Sequence, residues 1–251
     1  MNQPGGGRNA LMARLRARRP VLSLGIFAAD PAHFGPAVGD SLAWGAEMLH
    51  FDVMDGSFVP EITGGRAFVR ALGDGMLRDV HLMVERPAGH AGPFAHAGAD
   101  IVTVHAEAPD AAAAVAAVRT AEAELGRPVL AGLAVMPGTP LDVLDAFAGS
   151  PPDLLVVLAV DPRDGSRPDV TGACLRLIEL RRRVTARNPK PLLGFDGGVG
   201  LDTASTIAAA APDIVVTGSA VYRAGDPAGA FASLRRTVIS GCAPVGPAGD
   251  R

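Results

Sequence analysis

The sequence predicts a single closed (β/α)8 barrel, and three observations predict it. Eight short apolar runs stand at 21–27, 47–53, 78–84, 100–105, 128–135, 153–160, 191–196 and 213–218, each with strand composition. The stretches between them carry Ala, Leu and Arg at helical spacing, as in 109–125 and 170–187. Continuous apolar strands separated by helices indicate a parallel sheet covered on its outer face. Eight such units in about 220 residues fit the size of a closed barrel. Two segments, Ala97-Gly-Ala-Asp-Ile-Val102 and Ala210-Ala-Pro-Asp-Ile-Val215, echo each other and hint at internal duplication.

Composition bounds the function. A chain of 251 residues with 48% apolar content can bury a sizeable core. The net charge of −3, few aromatics and no long basic run leave no footprint for nucleic acid. No apolar segment approaches the roughly 20 residues that span a bilayer, so no membrane partner is expected. The two cysteines, Cys174 and Cys242, suggest a reducing compartment, and the cytoplasm is the expected location.

Taken in order, residues 1–20 hold Gly5-Gly6-Gly7 and arginines at 8, 14, 16, 18 and 19 with no apolar run of a secretory signal. They read as a disordered tail or a short surface helix ahead of a barrel over 21–240. After the first strand, Gly25-Ile-Phe-Ala-Ala-Asp30 lacks the GxGxxG spacing that an open doubly wound sheet would need. The second strand leads into His50-Phe51-Asp52-Val53-Met54-Asp55-Gly56. Side chains two apart on a strand share a face, so His50 and Asp52 point together. The third strand supplies His81 and the seventh Asp196, each near the C-terminal end of its run. Residues 241–251 have the Gly/Pro content of a disordered tail.

Barrel enzymes place their chemistry at the C-terminal ends of the strands. His50, Asp52, His81 and Asp196 fall there, and two imidazoles with two carboxylates form a competent shell for zinc, iron, manganese or cobalt. With strands two and seven facing each other across the mouth, Asp52 and Asp196 could reach opposite sides of a ligand. One would remove a proton and the other return one. A divalent ion between them would hold substrate oxygens and stabilise an enediolate.

The motifs His50-Phe-Asp-Val-Met-Asp-Gly-Ser-Phe-Val-Pro60, Asp79-Val-His-Leu-Met83, Phe195-Asp-Gly-Gly-Val199 and Thr217-Gly-Ser-Ala-Val221 together resemble the ribulose-phosphate 3-epimerase family over residues 22–234. The resemblance implies a metal-dependent barrel that inverts the carbon next to a ketose carbonyl. It implies His50, Asp52, His81 and Asp196 as ligands of one divalent ion, zinc first, with Asp52 and Asp196 also the two bases. Met54 and Met83 match methionines that line the family's site, and Gly197, Gly198, Gly218 and Ser219 match two of three loops whose amides hold phosphate. The partner implied is a small sugar phosphate, and the assembly a homo-oligomer. His105 matches a family histidine near the site that is not a ligand.

The third phosphate loop departs from the family. Where Pro-Gly-Phe-Gly-Gly-Gln is expected, the chain has Pro162-Arg163-Asp164-Gly165-Ser166-Arg167; Gly25 replaces an expected serine and Leu158 an expected methionine. Arg163 or Arg167 could grip an anion by side chain, or be solvated loop residues. Lys190 is the only lysine and precedes the seventh strand, away from the barrel mouth, which disfavours a Schiff-base aldolase or a lysine-dependent decarboxylase. The leading reading is a 3-epimerase acting on ribulose 5-phosphate or a related sugar. The alternatives are a divergent epimerase of a secondary pathway acting on a larger or differently phosphorylated sugar, and a non-catalytic sugar-phosphate-binding barrel.

Overall fold

In a computed structural model, which describes residues 7–73 and 75–242, the eight apolar runs form a closed, all-parallel barrel in the order β1-β2-β3-β4-β5-β6-β7-β8. The strands are β1 Val21–Gly25, β2 Met48–Met54, β3 Leu77–Met83, β4 Ile101–His105, β5 Leu130–Val135, β6 Leu154–Leu158, β7 Leu192–Asp196 and β8 Ile214–Thr217. The helices that follow them are α2 Phe34–Ala43, α3 Arg66–Ala71, α4 Ala88–His96, α5 Ala111–Leu125, α6 Val170–Arg183, α7 Ala204–Ala209, α8 Ser219–Tyr222 and α9 Pro227–Gly241, and α1 Arg8–Ala17 precedes the barrel. After β5 a 3-10 stretch, Leu141–Phe147, takes the place of an α-helix.

The two-residue period of the strands separates two cores. Odd positions of β2 (Leu49, Phe51, Val53) and even positions of β3 and β4 (Val80, Leu82, Val102, Val104) face the surrounding helices. Met48, Ile101, Leu130, Leu154, Val156, Leu158, Leu192 and Ile214 fill the barrel's interior. The same alternation sends His50 and Asp52 inward from β2, and His81 from β3.

The N-terminal expectation is corrected over Arg8–Ala17. Of the two readings, the short surface helix is the one the structure takes; what the sequence reading lacked is its packing, because Leu11, Met12 and Leu15 are buried against the interior cluster. Without α1 the lowest interior layer would meet water. Covering it stabilises the fold by about 1.5–3 kcal/mol for each side chain fully buried. The arginines read as tail residues tie α1 down: Arg16 donates to the carbonyls of Lys190 and Pro191, and Arg8 pairs with Asp153 and Glu122. The C-terminal expectation falls mostly on residues 243–251, outside the described residues; Gly241 itself ends α9.

The echoing segments have a structural meaning. Asp100, Asp153 and Asp213, just ahead of β4, β6 and β8, accept from the backbone amides of Arg78, Ala131 and Leu193 respectively, each at 2.9 Å. Three alternate strands, β4, β6 and β8, are thus stitched at their starts to the strand before.

Candidate active site at the barrel mouth

His50, Asp52, His81 and Asp196 converge as the sequence predicts. One ligand-type atom from each lies within 4.8 Å of the others. Strand register brings this about: Asp52 is the cross-strand partner of His81, and Gly25 that of His50. The ring order corrects one detail, because β1 and β8 stand between β2 and β7. Asp52 and Asp196 therefore flank the site rather than face each other across the barrel's diameter.

Each histidine turns a different nitrogen to the centre. Nδ1 of His50 donates to Asp79 Oδ2 at 2.8 Å, and Ser23 Oγ donates to the same oxygen at 2.8 Å. That leaves His50 Nε2 facing inward, 3.0 Å from Asp52 Oδ1. His81 presents Nδ1 instead, 3.5 Å from Asp52 Oδ1 and 3.4 Å from Asp196 Oδ2. Neither contact is a hydrogen bond, so this buried nitrogen has no partner among the described residues. A buried ring nitrogen aimed at two carboxylates calls for a positive charge among them, a proton or a metal ion, since burying it unpaired costs about 1–3 kcal/mol. The donor set of two imidazoles and two carboxylate oxygens fits a divalent metal.

Burial pushes the His50 and His81 imidazoles down, but the carboxylates around them outweigh it and hold both above the ordinary histidine range. Burial would raise the Asp52 carboxyl, yet the charge and hydrogen bond of His50 draw it down. Protons on the histidines thus do in the metal-free protein what a metal's charge would do in their place.

Beside the four side chains lies a cavity of about 400 Å³, lined by Gly25, Ala28, Asp52, Asp196, Gly197, Gly198, Val199, Gly200, Asp202, Val216, Thr217, Gly218 and Ser219. It has carboxylates at one end and glycine-rich backbone at the other. Gly197 and Gly198 adopt φ of 97° and 66°, and a Cβ on Gly198 would come within 2.6 Å of Pro168. Only glycine fits both demands. Among the described residues, the amides of Gly197, Gly198, Gly218 and Ser219 donate to no protein acceptor, which leaves them open to an anion. Neither lysine nor arginine lines the cavity.

Not every expected residue joins it. Met54 and Met83 are register partners at the top of β2 and β3 but lie outside the cavity lining. Arg163 turns away onto its own loop, with Nε donating to Asp161 Oδ1 at 2.9 Å, and Arg167 is exposed. His33, His90 and His96 are exposed. Sequence reasoning missed Ser23, Asp79 and Glu107 and left the role of His105 open. The His105 ring meets that of His81 with centroids 4.9 Å apart, and Glu107 binds its far nitrogen. The spacing His105-x-Glu107 at a strand end was the available signal for that pair.

A closed parallel barrel with a two-histidine, two-carboxylate cluster and a cavity of free amides at the C-terminal face belongs to the class of barrels that could hold a divalent ion and an anion at one mouth. The comparisons with known proteins identify the family. The pattern described as "Ribulose-phosphate 3 epimerase family" matches residues 21–222. A protein named ribulose-phosphate 3-epimerase from Mycobacterium leprae is 39% identical over 224 residues, covering 86% of this chain and 94% of its own. One of that name from Bacillus subtilis is 36% identical, covering 84% and 95%. A solved structure of 3-hexulose-6-phosphate synthase from Salmonella typhimurium superimposes with a TM-score of 0.65 over 88% of this chain and 99% of its own, at 19% identity, a likeness of fold alone. This chain belongs to the ribulose-phosphate 3-epimerase family. It is an isomerase of the carbohydrate-epimerase class.

Proposed function

We propose that the protein inverts C3 of a ketose phosphate, ribulose 5-phosphate or a related sugar, by two-base proton transfer through an enediolate. The observation that carries the reading is the convergence of His50, Asp52, His81 and Asp196 beside a cavity walled by free amides. These four side chains would hold one divalent ion, zinc first, with iron, manganese or cobalt as alternatives. When bound, the ion supplies positive charge where the enediolate's negative charge develops.

The chain's own groups do the rest. Asp52 and Asp196, drawn from β2 and β7, reach the substrate from two sides. One carboxylate takes the C3 proton, and the other delivers a proton to the opposite face, each working in the reverse role for the reverse reaction. The amides of Gly197, Gly198, Gly218 and Ser219 bind the phosphate and fix which carbon lies between the two carboxylates. Met54 and Met83 would cover the far side of the sugar, adding contact without charge.

The returned proton comes from a different acid than the one that removed it, so product formed in deuterated water carries deuterium at C3. Ketose phosphates of several chain lengths, incubated in deuterated water with metal-loaded protein, should show this for at least one substrate. No C3 deuteration of any of them would overturn the reading.

A second reading concerns the substrate. The loop after β6 contributes no residue to the cavity, and Arg163 is spent on Asp161. Two amide-bearing loops therefore stand where the family resemblance implies three. This favours a ketose phosphate other than ribulose 5-phosphate, and the same panel ranks the candidates. A cytoplasmic location and a homo-oligomeric assembly are part of the same reading; both cysteines are free, and no helix among the described residues is long and apolar enough to cross a membrane.

A further inference from the structure

His81 is buried, and its second ring nitrogen is as constrained as the one that faces the carboxylates. His81 Nε2 lies 2.9 Å from Nε2 of His105, the two ring planes being within 13° of parallel. Two nitrogens at that distance share one proton between them, and its owner is decided on the far side of His105. There Nδ1 sits 3.2 Å from Glu107 Oε2. Glu107 Oε1 accepts from the amide of Met136 at 2.9 Å and from the hydroxyl of Thr139. Two donors on one oxygen keep Glu107 an acceptor at the other, so Nδ1 of His105 must carry the hydrogen.

The consequence runs back along the chain. A neutral His105 with its proton on Nδ1 offers a lone pair at Nε2, and His81 must donate its own Nε2–H to it. When a metal displaces the proton that His81 holds in the metal-free protein, that proton leaves from Nδ1, on the side of Asp52 and Asp196, and the tautomer is the one a metal ligand needs. His50 reaches the opposite tautomer by a different route, through Asp79.

We infer that Glu107 and His105 are positioning residues that act in series, fixing the tautomer and orientation of His81 so that its Nδ1 is the metal-binding atom. The assignment rests on the proposed metal site. It also joins that site to the loop after β5, because Arg176 donates to the carbonyls of Met136 and Thr139, the two residues that hold Glu107. Supporting hydrogen bonds of this kind are worth roughly 10- to 100-fold in metal affinity.

The test measures zinc affinity of the full chain by chelator competition, alongside nitrogen-15 spectra that distinguish the two ring nitrogens of each histidine. Glu107→Gln weakens the partner of His105 while keeping its shape. His105→Phe removes the acceptor for His81 and is read only if its circular dichroism and melting match wild type. The expected result is a zinc Kd roughly 10- to 100-fold higher in Glu107→Gln, with zinc on Nδ1 of His81 and on Nε2 of His50 in the wild type. Wild-type zinc affinity in folded Glu107→Gln, or zinc on Nε2 of His81, would overturn the relay. The wild-type spectra decide the matter even if a variant does not fold. Failure of the wild type to bind zinc, iron, manganese or cobalt would overturn the metal site itself, an outcome distinct from loss of the relay alone.

Discussion

Gly198→Ala probes the anion end of the cavity with a single methyl group. Gly198 has φ of 66°, where an L-residue costs about 1–2 kcal/mol. Its new Cβ would sit 2.6 Å from Pro168 Cβ and 2.9 Å from Val170 Cγ2, and proline has no rotamer by which to retreat. Overpacking of this kind typically costs a further 1–3 kcal/mol. The chain can relieve the overlap only by moving the 197–198 loop, the 168–170 segment, or both. Movement of the loop withdraws amides from the phosphate, and losing one charge-assisted hydrogen bond at about 1.5–3 kcal/mol raises KM roughly 10- to 150-fold. The carboxylates proposed as the two bases are untouched, so kcat should change much less. Steady-state kinetics on the best ketose phosphate, paired with urea unfolding, would show a raised KM and a loss of about 2–5 kcal/mol in stability. A KM within twofold of wild type, at undiminished stability, would refute the argument that bare backbone at this position binds the anion.

Other expectations follow from the same geometry. Asp52→Asn and Asp196→Asn should each lower turnover by at least about 10²- to 10⁴-fold, the usual worth of a general base, and weaken metal binding; near wild-type rate with wild-type metal content in Asp196→Asn would contradict the two-base assignment. Arg163→Ala should leave KM for ribulose 5-phosphate unchanged, because its guanidinium is paired with Asp161 outside the cavity; a tenfold rise would show that it folds inward on the substrate. In the metal-free protein the raised imidazoles of His50 and His81 stabilise the fold fully below pH 6.5, and that contribution is lost as pH rises through their folded values. Metal must displace those protons, so affinity should rise with pH across the neutral range. Calorimetry in buffers of different ionisation enthalpy should detect protons released per ion at pH 7, and finding none would contradict the shifts. Burial pushes His105 down to about 4, so this residue contributes stability that is lost as pH falls from 6.5 towards 4. Acid unfolding in that window should be shallower in His105→Phe than in wild type, and an unchanged slope would remove the contribution.

The strands were legible because each is an apolar run bounded by turn residues, and the two-residue period already paired His50 with Asp52. His81 and Asp196 joined them because a closed barrel sends all strand ends to one mouth. The docking of helix α1 was not legible: its short apolar face, Leu11, Met12 and Leu15, is crowded by arginines whose acceptors, the carbonyls of Lys190 and Pro191, lie far away in sequence. Asp79, Ser23 and Glu107 escaped for a related reason. Each matters through the ring nitrogen it or its neighbour meets, and that depends on which residues become neighbours across strands. The loop after β6 was visible as a departure, but a sequence cannot show that Arg163 closes on an aspartate two residues away rather than on a ligand. The interposition of β1 and β8 between β2 and β7 follows from strand order alone and could have been read in advance.

The central claim is that His50, Asp52, His81 and Asp196 hold one ion and that the chemistry depends on it. The most direct test titrates metal-free protein with zinc, iron, manganese and cobalt in turn, while following deuterium entry at C3 of the preferred ketose phosphate in deuterated water. The account predicts negligible exchange without metal, a rise that saturates at one equivalent per chain for at least one of these ions, and no comparable rise in His81→Ala. Full exchange by protein shown to be metal-free, or saturation unaffected in His81→Ala, would contradict it.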